Sequence, residues 1–279
     1  MWRDLLADSL EKADAVIFGM PMDNNCSVAR GAAKAPTVLR ACSEFLPPFN
    51  ITGEKISSKI FDLGDVFQYD YNDVLRIMRL GCNKKLNLMI GGDHSASILT
   101  QKAFRELNSG KCGLIHIDAH ADICDEYLGS KYSHACVNRR ALENGYNPAD
   151  ITLVGVRSFE DQEKDFLSEH PIELYTTDFV YREGTSCIVQ KLIEKYNQYD
   201  RIYLSFDIDA LDPSYAPGTG TPEGFGLTSM DVLKIIMELM SALPIRMIDI
   251  MEISPPLDVN NITTWLALKF ILEILVKLK

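Results

Sequence analysis

The feature that most constrains this chain is a series of short, β-prone, almost continuously apolar runs. They lie at residues 15–18, 59–61, 86–90, 113–117, 151–154, 202–206 and 246–250. Helical periodicity fills several of the gaps, over 97–107, 186–196 and 229–240. A strand with one wet face alternates apolar and polar residues, whereas a run that is apolar throughout has to be covered on both faces. The pattern therefore predicts an α/β fold in which a mainly parallel sheet lies between helices. With 279 residues and no internal repeat, low-complexity tract or linker, one domain over residues 1–279 is the simplest organisation.

A last apolar stretch, 265–278, is interrupted by Lys269, Glu273 and Lys277 at four-residue spacing, which puts them on one helical face. It reads as an amphipathic terminal helix, not a membrane span. The N-terminus mixes Arg3, Asp4, Asp8 and Glu11 where a signal peptide would be basic and then apolar. Seven scattered cysteines without a CxxC pair read as reduced thiols of a cytoplasmic protein, with Cys124 and Cys136 as small buried hydrophobes. A net charge of −11 argues against nucleic acid and anionic membrane as partners, and it would steer a cationic ligand toward the protein.

Three blocks stand at strand ends, where open parallel sheets place their sites. They are Gly91-Gly92-Asp93-His94-Ser95, His116-Ile117-Asp118-Ala119-His120-Ala121-Asp122 and Ser205-Phe206-Asp207-Ile208-Asp209-Ala210-Leu211-Asp212-Pro213. In extended geometry Asp118, His120 and Asp122 share one side, and the intervening alanines leave room for a crowded cluster. Asp207 and Asp209 repeat that spacing. Taken alone, any one of these aspartates is a turn former and His94 a satisfied core histidine. Together, His94, Asp118, His120, Asp122, Asp207 and Asp209 form a set that needs cations, because buried charges are paired or bind metal. Carboxylates with imidazoles suit manganese first, with nickel, cobalt, iron or zinc behind. A dinuclear site of this kind implies hydrolysis by a metal-activated hydroxide. The Gly91-Gly92 pair lacks the GK[ST] of a phosphate loop and reads as a sharp backbone turn. Arg139 and Arg140 read as a solvated helix face or subunit contact.

The blocks resemble those of the ureohydrolases, the family of arginases and agmatinases, whose motifs GGDHS, DAHxD and SxDxDxxDP stand here in the same order. Residues 215–222, Ile250-Met251-Glu252 and Tyr132-Ser133-His134 match further family segments. The resemblance implies a three-layer α/β/α sandwich around an eight-stranded sheet, two Mn(II) per chain, and a homo-oligomer, trimer or hexamer. It assigns His94 and Asp122 to one ion and His120 and Asp209 to the other, with Asp118 and Asp207 touching both. It makes His134, otherwise a surface histidine, the proton donor to the leaving amine; imidazole has the right pKa for that work. Asp122 would orient the hydroxide and accept its proton. Glu252, a carboxylate at a strand end and suited to hold a guanidinium by paired hydrogen bonds, becomes the substrate anchor. His116, outside DAHxD, reads as packing around the ligands.

Within the family, the 123–133 loop has no asparagine to receive an α-carboxylate and carries Asp125 and Glu126. That favours a small cationic guanidino substrate, agmatine, cleaved to putrescine and urea. Arginine, guanidinobutyrate and formiminoglutamate are the alternatives. The dinuclear metallophosphoesterases also use a DxH block, but there it precedes the GD block and an Asn-His pair follows; here the order is reversed and no Asn-His pair occurs. A non-enzymatic metal-binding homologue is disfavoured by the intact ligand set with His134 and Glu252.

Overall fold

The computed structural model describes residues 2–278. Along the chain run β1 (Ala15–Gly19), α1 (Ala35–Ser43), β2 (Ile60–Asp65), α2 (Tyr71–Gly81), β3 (Leu86–Ile90), α3 (Ala96–Leu107), β4 (Cys112–Ile117), α4 (Val137–Glu143), β5 (Ile151–Val156), α5 (Asp161–Glu169), β6 (Glu173–Thr176), α6 (Thr177–Glu183), α7 (Thr185–Tyr196), β7 (Arg201–Asp207), α8 (Ser229–Ala242), β8 (Ile245–Met251) and α9 (Ile262–Val276). The eight strands form one sheet in the order β2-β1-β3-β8-β7-β4-β5-β6, with every neighbour parallel.

Successive side chains of a strand enter opposite layers. Ile17, Leu88, Ile115, Leu204 and Ile248 join a core with residues of α1 and α6 to α9. Their neighbours Phe18, Met89, Leu114, Tyr203 and Met247 join a second core with residues of α2 to α5. This is the expected three-layer α/β/α sandwich. Strands β1, β3, β4 and β5 are buried at every position, which is why they read as unbroken apolar runs. The edge strand β6 escaped the sequence reading because it has only four residues, three of them half-buried, and no apolar run. Helix starts follow local chemistry: Asp70 accepts the Asn72 N–H ahead of α2, and Thr228 and Asp231 cap α8 reciprocally.

Helix α9 departs from expectation. Lys277 is exposed, but Glu273 is buried, because the turn at 50–54 lies over it and donates the Ile51 N–H to Glu273 Oε1 at 2.6 Å. The helix is apolar nearly all round and its supposed polar face is partly roofed. Among the described residues no helix is long and apolar enough to cross a membrane.

Candidate metal centre

Four adjacent central strands, β3, β8, β7 and β4, deliver the motif residues to one edge of the sheet. His94 follows β3, Glu252 follows β8, Asp207 ends β7 with Asp209 just beyond, and Asp118, His120 and Asp122 follow β4. The residues from Asp118 to Asp122 do not continue the strand. His120 makes a lone bridge to Ser158, and Asp122 turns into the left-handed region at φ 49°. Asp122 still reaches the cluster, through a bend and not through the strict alternation expected.

Two groups of donors result. His94 Nδ1 lies 3.0 Å from Asp118 Oδ2, 3.0 Å from Asp207 Oδ2 and 3.3 Å from Asp122 Oδ2. His120 Nδ1 lies 3.4 Å from Asp118 Oδ1 and 3.2 Å from Asp209 Oδ2. Asp118 therefore touches both groups, one oxygen to each. Asp207 reaches the His94 group through Oδ2, while its Oδ1 accepts the Asp209 N–H at 2.8 Å.

The donors fit metal ions. His94 Nδ1 and Asp118 Oδ2 are buried and have no hydrogen-bond partner although they stand 3.0 Å apart. Around an octahedral ion with bonds near 2.1 Å, adjacent ligands are about 3 Å apart. Burial, and then the charge of Asp118, pushes the Asp122 carboxyl well above its usual range. Burial followed by Asp209 and Asp118 does the same to Asp207. Burial alone would lower His94, but Asp118 and Asp207 outweigh it and hold the imidazole well above its ordinary value. Carboxylates that borrow protons and histidine charge in this way lack positive charge, which divalent cations supply.

A hydrogen-bond chain orients His94. Ser205 Oγ–H donates to Asp249 Oδ1 at 2.7 Å, so the same oxygen accepts from His94 Nε2 at 2.8 Å. That leaves the Nδ1 lone pair facing the carboxylates. Asp249, wholly buried, also accepts from Ser97 Oγ, Tyr203 OH and the Phe206 N–H. Asp249→Asn is expected to weaken metal affinity roughly 10–100-fold, the usual cost of losing such support. Calorimetric titration of the metal-free protein with Mn(II) reads this, and an unchanged affinity would leave Asp249 a packing residue.

His116 is fully buried, stacks on His94 at 4.7 Å between centroids, and places Nε2 2.9 Å from Asp118 Oδ2. It joins His94, Asp118 and Asp122 in a group close enough to share an ion. Glu252 has φ 61°, a strained value for a side chain of its size. Its Oε1 accepts the His94 N–H at 2.8 Å and lies 3.0 Å from His134 Nδ1. His134 is buried, not a surface residue. Gly92 is needed for a close approach, since a Cβ there would stand 1.7 Å from the Met22 carbonyl oxygen; its φ is not positive, and the expected sharp turn is present as a bend at Gly92 and Asp93.

A cleft of about 380 Å³ opens over the cluster. Asp122, Asp207, Asp209, Glu160, Glu163 and Glu223 line it with His120 and His134, and among the described residues no lysine or arginine does. The acids expected from the loop are elsewhere. Asp125 pairs with Arg140 at 2.9 Å and Lys131 at 3.3 Å, and Glu126 is exposed outside the cleft. Arg140 is itself buried, and Arg139 stacks on Phe166, so neither is a freely solvated helix face. Sequence reasoning missed Glu160, Glu163, Ser27 and Asp249. Only Asp249 left a signal, as one acid inside an otherwise apolar strand.

A buried His/Asp cluster at the carboxyl edge of an all-parallel, two-sided sheet defines a metal-dependent hydrolase. The chain belongs to the arginase family, whose model matches residues 13–277. It is 32% identical to a guanidinobutyrase of Pseudomonas aeruginosa over 95% of this chain and 86% of that one. It is 33% identical to a mitochondrial agmatinase of Gallus gallus, over 99% and 84% respectively. Its fold superimposes on the crystal structure of the agmatine ureohydrolase of Thermoplasma volcanium with a TM-score of 0.86 and 31% identity, covering 99% of this chain and 94% of that one.

Proposed function

We propose that this ureohydrolase cleaves agmatine to putrescine and urea. The observation that carries the reading is the cleft wall: besides the candidate metal ligands, Glu160, Glu163 and Glu223 line it, and among the described residues no lysine or arginine does. A substrate positive at both ends suits such a wall, and an anionic tail is repelled by it. Two divalent ions, manganese in our reading, would be held by His94, Asp118, His120, Asp122, Asp207 and Asp209 and would supply Lewis acidity and an acidified water. Asp122, on the cleft wall, would orient that water and take its proton on a carboxylate oxygen. Glu252 would hold the guanidinium, and His134 would give a proton to the departing amine nitrogen. A homo-oligomer, trimer or hexamer, is proposed from membership of the family. The acidic charge and free cysteines support a cytoplasmic setting.

The test is urea release from Mn(II)-loaded protein offered agmatine, arginine and guanidinobutyrate side by side, with formamide read for formiminoglutamate. Agmatine is expected to give the highest kcat/KM. Glu160→Gln is expected to lower that value by up to about 5-fold, the upper end for an exposed ion pair, with little effect on arginine. The likeness to a guanidinobutyrase makes guanidinobutyrate the competing substrate, and a preference for it would overturn the cationic-tail reading.

A further inference from the structure

We propose that Ser27 is a positioning residue for His134, its hydroxyl holding the plane of the ring. This rests on the reading of His134 as proton donor. Both ring nitrogens are engaged. Nδ1 lies 3.0 Å from Glu252 Oε1, and Nε2 lies 2.9 Å from Ser27 Oγ and accepts the Ser27 backbone N–H at 3.2 Å. An ionised carboxylate only accepts, so Nδ1 carries a hydrogen. A backbone N–H only donates, so it meets the lone pair of Nε2. The hydroxyl is the adaptable partner. It donates to Nε2 while the ring is neutral and turns to accept once Nε2 is protonated. The backbone N–H loses its acceptor in that charged state, so the hydroxyl is the contact at Nε2 that serves both, which a group that donates and regains a proton requires.

The loop carrying Ser27 is tied to the same wall without using the serine side chain. The Asn25 N–H donates to Asp93 Oδ2 at 2.9 Å, and Asn25 Nδ2 donates to Ser95 Oγ at 2.9 Å. The Asn25 carbonyl accepts the His134 backbone N–H at 3.2 Å. Gly31 N–H closes the far side of the loop on Asp23 Oδ2 at 2.8 Å. Ser27 and His134 both line the cleft. Removing Oγ therefore frees the ring without freeing the loop.

Ser27→Ala and Ser27→Thr are compared in metal-loaded protein, on whichever guanidino compound the unaltered protein hydrolyses fastest. The alanine variant is expected to lose about 10-fold in kcat, the scale of one well-placed hydrogen bond, with KM and metal content unchanged. The threonine variant, which keeps the hydroxyl, is expected to recover most of the loss. A second readout needs no turnover: ¹⁵N spectra of the imidazoles in zinc-loaded, diamagnetic protein. Recorded above about pH 9, where the ring has lost its second proton, the His134 Nε2 resonance is expected to move in Ser27→Ala, which lacks the hydroxyl bond, and to return in Ser27→Thr. Unchanged kcat with an unchanged ring spectrum overturns the proposal. So does a loss that threonine fails to repair or that comes with loss of metal. If the unaltered protein releases no urea from any guanidino compound, the functional reading falls, and the ring spectra still decide Ser27.

Discussion

Asp118→Ala is expected to leave the protein with neither ion firmly held and no measurable urea release. The carboxylate is the one group whose two oxygens face the two donor sets, at 3.0 Å from His94 Nδ1 and 3.4 Å from His120 Nδ1. Its Oδ1 also accepts the His120 N–H at 2.6 Å, so its loss disturbs the backbone that carries the second set. His94→Ala removes a donor from one set only, and Asp207→Ala is expected to fall between the two. Elemental analysis after dialysis ranks the three. Full metal content in Asp118→Ala would remove Asp118 from the centre.

His134→Ala is expected to keep its metal and lose turnover by ~10²–10⁴-fold, the usual contribution of a general acid. Burial would lower the pKa of this imidazole, but Glu252 outweighs it, Asp122 and Asp93 add to the effect, and the group is pushed up to about 9. A raised value keeps the ring charged at neutral pH, and the charged ring is the form that donates. The contribution is therefore present at neutrality and fades as pH rises through about 9. A variant with unaltered turnover between pH 7 and 9 would leave His134 without a part in the reaction.

The sheet was legible where physics makes strands conspicuous. A strand covered on both faces, such as Leu86–Ile90, has no polar alternation to blur it, whereas the edge strand Glu173–Thr176 has nothing but its neighbour to declare it. The candidate ligands were legible because Asp118, His120 and Asp122, and likewise Asp207 and Asp209, repeat a spacing of two at a strand end, although each donor group draws on residues far apart in sequence. The cleft walls were not. Glu160 enters from a loop whose approach depends on packing, and Ser27 meets His134 across 107 positions. Asp125, acidic and next to the motif, looked like a wall residue and is instead consumed by Arg140 and Lys131. Charge near a site in sequence does not say which way the side chain points.

The strand order carries a consequence for how the protein is made. Strands β3 and β7 are not neighbours; β8 lies between them, and β8 comes last of the eight as the chain is synthesised. Until that strand inserts, the halves bearing His94 on one side and Asp207 with Asp118 on the other have no shared ladder to set their spacing. A nascent chain lacking it holds all six candidate ligands, and the β4–β7 ladder already sets one donor group, but His94 is not yet brought to the others; it also exposes two unpaired interior edges of the kind that recruit other chains. Completion of the candidate dinuclear centre thus becomes a late event in biogenesis, following the docking of the final strand.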